Sequence, residues 1–273
     1  MCTTCGCSDG AHTTIIDPVS GAHTHLGLEP EHEHSHAHGH DHSHTHEHGA
    51  PPHATRTIEF EQQLLAKNDR LAERNRGWLA AREVVAVNLM SSPGAGKTTL
   101  LERTIRDLGG EVPIAVVEGD QETLLDSERI RATGAPVVQI NTGAGCHLDA
   151  EMLAGGLRTL DPAAGTVLLV ENVGNLVCPA LFDLGEQGKV VIISVTEGAD
   201  KPLKYPHMFR AADLMIVNKI DLAPHVDFDV AQCIEWAQQV HPGIESLQLS
   251  ATRGDGLDAW YVWLRSRAAV KAR

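Results

Sequence analysis

Aromatic and basic residues are scarce in this chain of 273 residues. Phe, Trp and Tyr together make up 4% of it, so we expect no ligand pocket lined by aromatic rings. Lys and Arg number 22 against 36 Asp and Glu, which gives a formal net charge of -14. Because such a charge repels phosphate backbones, the composition argues against a surface that binds nucleic acid.

Long apolar runs are also missing. No stretch approaches the roughly 18 consecutive apolar residues that a membrane-spanning helix needs, so we expect no membrane span. The first residues lack the charged and apolar regions of a secretory signal peptide. The six cysteines are clustered at ligand-like spacings rather than distributed as a disulfide framework, which predicts reduced thiols and a cytoplasmic protein.

A phosphate-binding loop is predicted at 91–98, Ser-Ser-Pro-Gly-Ala-Gly-Lys-Thr. It lies between an apolar, β-branched run and a helical apolar pattern, which is the context that a P-loop requires. Lys97 should reach the β- and γ-phosphates, and the Thr98 hydroxyl should ligate Mg²⁺. The motif departs from the usual pattern at Ser91, where Gly is expected, and a chance glycine-rich turn is the alternative. The predicted nucleotide contacts are Pro93, Gly94, Ala95, Gly96, Lys97, Thr98 and Thr99.

A selector for guanine is predicted at the end of a later apolar strand, in the sequence Asn-Lys-Ile-Asp. The carboxylate of Asp221 can accept two hydrogen bonds from guanine N–H groups, for which adenine offers no matching pair. Ser250 and Ala251 follow another strand and are similar to the base-contacting segment of small GTPases. The sequence therefore predicts a site for GTP or GDP, with base contacts from Asn218, Lys219, Asp221, Ser250 and Ala251.

Mg²⁺ needs oxygen ligands besides Thr98. Glu171 ends a predicted strand and is one candidate, and Gly174 follows it as a hinge that would sense the γ-phosphate. Asp120 ends another strand and is a second candidate, directly or through water; the alternative is a helix cap or a solvated loop carboxylate. The predicted catalytic residues are Lys97, Thr98, Asp120 and Glu171.

A soft-metal site is predicted from Cys146, His147 and Cys178. Both loops that carry them leave the carboxyl ends of predicted parallel strands, the edge at which the P-loop also opens. Thiolate and imidazole ligands suit Zn²⁺ or Ni²⁺. Because Cys178 shares one connection with Glu171, loss of the γ-phosphate would move a metal ligand directly. The alternative is two unrelated buried cysteines and a surface histidine.

Two further groups of metal ligands precede residue 56. Cys2, Cys5 and Cys7 can chelate one ion, and the amine of Cys2 adds a nitrogen donor if Met1 is removed. A redox pair or a mobile reactive terminus is the alternative. Histidine then recurs at every second position, and the residues between offer no apolar face to bury, which predicts a disordered metal buffer rather than a strand. These histidines are His32, His34, His36, His38, His40, His42, His44, His46 and His48.

The predicted organisation is a disordered Cys- and His-rich tail over 1–55 followed by one domain over 56–273. A helix is predicted over 57–76. Strands are predicted over 84–90, 114–118, 136–140, 166–170, 189–195, 214–218 and 245–249. Since repeated strand–helix alternation implies a parallel sheet covered on both faces, we expect an α/β P-loop NTPase fold with a mostly parallel sheet of about seven strands.

These motifs together resemble the HypB family, the SIMIBI-class nickel-incorporation GTPases of [NiFe]-hydrogenase maturation. The resemblance rests on the amino-terminal cysteines, the histidine tract and the segments 91–98, 118–120, 146–150, 171–179 and 218–221. It implies slow hydrolysis of GTP to GDP and phosphate with Mg²⁺, and a homodimer in the GTP state. It also implies transfer of Ni²⁺ to the hydrogenase large subunit, together with a HypA-type zinc protein and a SlyD-type metallochaperone.

The resemblance further implies two metal sites. One is a high-affinity nickel site at Cys2, Cys5 and Cys7, and the other binds Ni²⁺ or Zn²⁺ at Cys146, His147 and Cys178, near the dimer interface.

Three other functions stay open. A urease-accessory GTPase shares the fold and reaction, but its metal motif is Cys-Pro-His, whereas Ala180 follows Cys178-Pro179 here. A nickel store with a vestigial nucleotide site would bind metal without turnover. An ATP-dependent ATPase or kinase is disfavoured by Asp221.

Overall fold

The computed structural model describes residues 13–17, 23–26, 53–121 and 124–269. The predicted ligands Cys2, Cys5 and Cys7 and the histidine tract from His32 to His48 lie outside the described residues.

Strands and helices alternate through most of this part of the chain. The strands are β1 (Thr13–Ile16), β2 (His23–Leu26), β3 (Val85–Ser91), β4 (Ile114–Asp120), β5 (Val137–Asn141), β6 (Val167–Glu171), β7 (Gly188–Ser194), β8 (Leu214–Asn218) and β9 (Glu245–Gln248). The α-helices are α1 (His53–Ala81), α2 (Lys97–Leu108), α3 (Leu125–Arg131), α4 (Ala150–Leu160), α5 (Lys201–Lys204), α6 (Pro206–Ala211), α7 (Val230–Val240) and α8 (Leu257–Ala269).

The strands form one sheet in the order β2-β1-β5-β4-β6-β3-β7-β8-β9. The seven strands from β3 to β9 are parallel, as predicted, and each overlaps its predicted range. Every residue of β3 and β6 is buried, because helices cover both faces of a parallel sheet. The α/β fold with a mostly parallel sheet is therefore confirmed.

Two antiparallel strands extend this sheet beyond the predicted seven. β1 pairs with β5, where Ile15 lies opposite Ile140, and its other edge pairs with β2. Ile15 is 2% exposed and packs in the core beside Ile140 and Leu148. The structure thus corrects the prediction of disorder for all of residues 1–55. The missed signal was the run Thr-Thr-Ile-Ile of Thr13–Ile16, since β-branched residues favour strands.

Helices cover both faces of the sheet. Side chains of α2 and α8 pack on one face, and those of α1, α4, α6 and α7 pack on the other. Cys233 of α7 is fully buried and belongs to the core. Helix α1 is longer at both ends than the predicted 57–76. Among the described helices, none is both long and apolar enough to cross a membrane.

Candidate functional site

A cavity of about 520 Å³ opens at the carboxyl ends of the central strands β3, β4 and β6. Its lining is polar, as expected where several βα loops meet at one edge of a parallel sheet. The lining residues are Pro93, Gly94, Gly96, Lys97, Thr98, Thr99, Glu118, Gly119, Asp120, Gln121, Asp126, Arg129, Cys146, Glu171, Asn172, Val173, Gly174, Asn175 and Lys219.

The predicted P-loop forms one wall of this cavity. Gly96 has a φ of 102°, and a Cβ there would lie 2.5 Å from Asn218 Nδ2, so both the turn and the close approach require glycine. Lys97 begins α2, is 8% exposed, and donates a hydrogen bond to Ser91 Oγ at 2.8 Å. Ser91, the departure from the usual motif, therefore holds the lysine ammonium at the cavity. Burial lowers the pKa of Lys97, and the charge of Glu171 opposes that shift most strongly.

Two predicted Mg²⁺ ligands lie side by side in the cavity. The hydroxyl of Thr98 donates a hydrogen bond to Glu171 Oε1 at 2.7 Å. Glu171 Oε2 is buried and has no hydrogen-bond partner among the described residues, so it is available to a cation. Burial raises the pKa of Glu171 to about 7, because the surrounding protein replaces the water that would solvate its charge. This donor set fits Mg²⁺, which prefers oxygen ligands.

The third predicted Mg²⁺ ligand, Asp120, also lines the cavity, at the end of β4. The alternative role as a helix cap does not hold, because the residue that caps α3 is Leu124. The backbone carbonyl of Asp120 accepts a hydrogen bond from the N–H of Thr142 at 2.9 Å, which ties β4 to the loop leading toward Cys146.

Glu118 was not predicted as a site residue, yet it lines the cavity. The register of β4 and β6 places Glu118 directly beside Glu171. Burial raises the pKa of Glu118 to about 9, and the charges of Glu171 and Asp120 add to that shift. The signal was present in the sequence, because a carboxylate within the apolar run of β4 needs a functional or structural reason to be buried.

Among the predicted base-contacting residues, Asn218 and Lys219 contact the P-loop. Asn218 Nδ2 donates to the carbonyl of Ala95 at 2.9 Å, and its Oδ1 accepts from the N–H of Ala251 at 3.1 Å. Lys219 lines the cavity and donates from Nζ to the carbonyl of Gly94 at 2.8 Å. Asn218 therefore joins the P-loop to the second predicted base segment. Asp221, Ser250 and Ala251 are not among the residues that line the cavity.

The three predicted soft ligands come together. The ligand atoms of Cys146, His147 and Cys178 all lie within 4.8 Å of one another. The two sulfur atoms are 3.2 Å apart, and Cys146 Sγ lies 3.8 Å from His147 Nδ1. Unrelated cysteines would not converge in this way, so that alternative is excluded by the geometry. Cys146 also lines the P-loop cavity, and the cluster therefore adjoins the predicted nucleotide site.

Comparison with known proteins identifies the family. Residues 85–248 match the CobW/HypB/UreG nucleotide-binding domain. The hydrogenase maturation factor HypB of Azotobacter vinelandii is 56% identical over 219 residues, which cover 80% of this chain and 72% of that protein. The chain belongs to the HypB family of hydrogenase maturation factors.

Two solved HypB structures share this fold. HypB from Archaeoglobus fulgidus is 43% identical with a TM-score of 0.70, and the match covers 74% of this chain and 99% of that one. HypB from Helicobacter pylori, solved in complex with nickel, is 37% identical with a TM-score of 0.70, and the match covers 74% of this chain and 95% of that one.

The environment of His147 keeps its imidazole neutral in this HypB-family chain. Its ring stacks on Phe182, with 4.0 Å between ring centroids, and the residue is 8% exposed. Burial lowers the pKa of His147 from its ordinary value of 6.5 to about 4. A neutral imidazole is the form that binds a metal ion, so the site presents this ligand without first losing a proton.

This shift predicts a pH-dependent stability. Between pH 6.5 and about 4 the unfolded chain protonates this histidine and the folded chain does not, so folding loses stability as the pH falls. We expect His147 to account for a loss of about 3 kcal/mol over this range in the metal-free chain. Urea unfolding of the wild type and of His147→Gln at pH 7 and pH 4.5 measures it. Equal losses in the two proteins would contradict the buried, neutral imidazole.

Proposed function

We propose that this chain hydrolyses GTP slowly to GDP and phosphate, and that its nucleotide state controls the binding and release of Ni²⁺ destined for the [NiFe]-hydrogenase large subunit. The observation that carries the proposal is the position of Cys146, which belongs to the soft-ligand cluster and also lines the P-loop cavity. A change in the bound phosphates would therefore alter the surroundings of a metal ligand directly. The nickel complex of the Helicobacter pylori relative supports Ni²⁺ as the cargo.

The residues of the cavity have distinct roles in the proposed hydrolysis. Backbone N–H groups of the P-loop and the amino terminus of α2 bind the phosphates, and Lys97 stabilises charge on the β- and γ-phosphates. Thr98, Glu171 and Asp120 would hold Mg²⁺, which supplies neutralisation of the phosphate charge. We assign no general base, and a slow intrinsic rate follows from that, as in switch GTPases generally.

The metal cargo binds at Cys146, His147 and Cys178, with Ni²⁺ or Zn²⁺ as the ions that suit these ligands. In the proposal, GTP and Mg²⁺ order the loops at Asp120 and Glu171 and favour a homodimer. The amino-terminal cysteines and histidines collect nickel in the cytoplasm, and a HypA-type zinc protein and a SlyD-type metallochaperone take part in its transfer.

The test is a nickel titration of the full chain carrying Cys2→Ala, Cys5→Ala and Cys7→Ala, with Mg²⁺ and either a non-hydrolysable GTP analogue or GDP. A fragment that begins after the tail is unsuitable because it would remove β1 and β2. Sulfur-to-nickel charge-transfer absorption then reports the Cys146/Cys178 site, since the histidine tract contributes no thiolate. Sedimentation followed in parallel reports dimerisation.

We expect nickel affinities that differ by about tenfold between the two nucleotides, a typical size for coupling between sites. The absorption band should disappear in Cys146→Ala. Equal affinities with both nucleotides would mean that the two sites merely share a chain, and nickel storage would then be the better function.

A further inference from the structure

The segment 171–178, here called the connecting segment, touches the P-loop at two of its residues. Glu171 accepts the hydrogen bond from Thr98, and Gly174 packs against the backbone of Pro93. A Cβ on Gly174 would lie 3.0 Å from Pro93 Cα, so the two backbones are already in close contact. Any ligand that moves the P-loop wall at Pro93 therefore pushes directly on Gly174.

Two asparagines of the connecting segment hold the loop that carries the other metal ligands. Asn175 Nδ2 donates a hydrogen bond to the carbonyl of Cys146 at 3.2 Å. Asn172 Oδ1 accepts one from the N–H of Leu148 at 3.0 Å. The backbone is thus held on both sides of His147. These contacts alternate with those to the P-loop, so one short segment contacts both sites.

The two asparagines differ in how firmly they are fixed. Asn172 is 1% exposed and donates from Nδ2 to Asn88 Oδ1 at 3.2 Å, and Asn88 in turn donates to Glu186 Oε1 at 3.1 Å. This buried chain of hydrogen bonds anchors Asn172 to the central strand β3. Asn175 is only half-buried, and its Oδ1 accepts from the N–H of Val177, a residue of the same segment. Asn175 is therefore positioned by the connecting segment itself.

We propose that Asn175 is the positioning residue that transmits movement of Gly174 to the Cys146–His147–Cys178 cluster. Asn172 stays in place during this movement, because its hydrogen bond to Asn88 holds it against β3. Asn175 follows Gly174 directly, so a shift at the P-loop moves its hydrogen bond to the Cys146 carbonyl. The same shift also moves Cys178, which is the last residue of the connecting segment. Since the ligand atoms lie within 4.8 Å of one another, displacing two of them relative to His147 changes the coordination of a bound ion. This inference rests on the proposed control of metal binding by nucleotide.

The test uses Asn175→Asp and Asn175→Ala in the full chain that lacks Cys2, Cys5 and Cys7. The aspartate keeps the oxygen that accepts from Val177 but loses the N–H donor to Cys146, and the alanine loses the donor without adding a charge. Asn141→Asp is the matched control. Asn141 is also half-buried near this loop, and its Oδ1 accepts from the N–H of Gly143, a bond that aspartate retains.

The readout is the ratio of nickel affinities in the GTP-analogue and GDP states, which a merely structural defect would not selectively remove. We expect the ratio of about tenfold in the parent chain to fall below about twofold in both Asn175 variants and to persist in Asn141→Asp. If the affinity ratio in the Asn175 variants equalled that of the parent chain, the proposed role of Asn175 would be wrong, while the proposed function would stand. A parent ratio of one would overturn the proposed function together with this inference.

Discussion

Replacing Lys97 with alanine is expected to lower the rate of GTP hydrolysis by about 10³-fold, because a preorganised charge at the phosphates is lost. Lys97 is held at the cavity wall by Ser91 and lies near Glu171, so its ammonium is already in place before nucleotide binds. Steady-state phosphate release at saturating GTP and Mg²⁺ measures the loss.

The matched control for this variant is Lys67→Ala. Lys67 is an exposed residue of α1 that pairs with Glu151 at 2.8 Å and does not line the cavity. Exposed ion pairs contribute little, so hydrolysis in this control should stay near the wild-type rate. Hydrolysis that is unaffected by Lys97→Ala would show that the P-loop is not the catalytic site.

Replacing Asp221 with asparagine is expected to weaken GTP binding by about 10³-fold and to favour xanthosine triphosphate instead. An aspartate accepts hydrogen bonds from the two N–H groups of guanine. In asparagine, one of the two accepting oxygens is replaced by an NH₂ donor, which faces a guanine N–H without forming a hydrogen bond. Xanthine carries an oxygen at the matching position, so the amide pairs with that base. A site built on buried hydrogen bonds rejects the wrong partner strongly because a polar group is left unpaired.

Equilibrium titration with GDP and xanthosine diphosphate, each with Mg²⁺, measures this exchange of specificity. Asp255→Asn is a suitable control. The backbone carbonyl of Asp255 accepts a hydrogen bond from the N–H of Ser250, in the second predicted base segment, and an asparagine retains this backbone bond. If Asp221→Asn still preferred the guanine nucleotide, the base would be recognised elsewhere in the chain.

The parallel strands and the P-loop were predictable because their signals are local. Each buried strand from β3 to β8 is a short apolar run, and the loop from Ser91 to Thr98 is a contiguous motif. The structure nevertheless explained why serine can replace the usual glycine at position 91. Its hydroxyl accepts from Lys97, a contact that a search for glycine at that position cannot anticipate.

The convergence of Cys146, His147 and Cys178 was predictable only in part. Cys146 and His147 are neighbours, but Cys178 is 32 residues further along, and spacing alone does not bring such residues together. Cys146 and His147 follow β5, and Cys178 follows β6. They converge because only β4 separates these two strands in the sheet. The sequence showed a carboxylate, Glu118, within the apolar run of β4, but its position beside Glu171 follows from the register of two strands that are distant in the sequence.

The two amino-terminal strands, β1 and β2, were not predicted from the sequence. Polar and histidine-rich surroundings concealed the four β-branched residues Thr13–Ile16, and the buried contact of Ile15 with Ile140 spans most of the first half of the chain. A short strand is not stable alone, so its formation depends on the edge of β5 being available.

The sequence by itself determined the fold class, the P-loop and the kinds of ligand available, because strand periodicity, loop motifs and side-chain chemistry are properties of short segments. Only the tertiary structure decided that Cys146 would lie both in the cluster with His147 and Cys178 and in the lining of the P-loop cavity, and that Asn172 and Asn175 would hold the backbone on both sides of His147. Those arrangements require a particular strand order and register. Both are set by packing across the whole sheet, which no local pattern specifies.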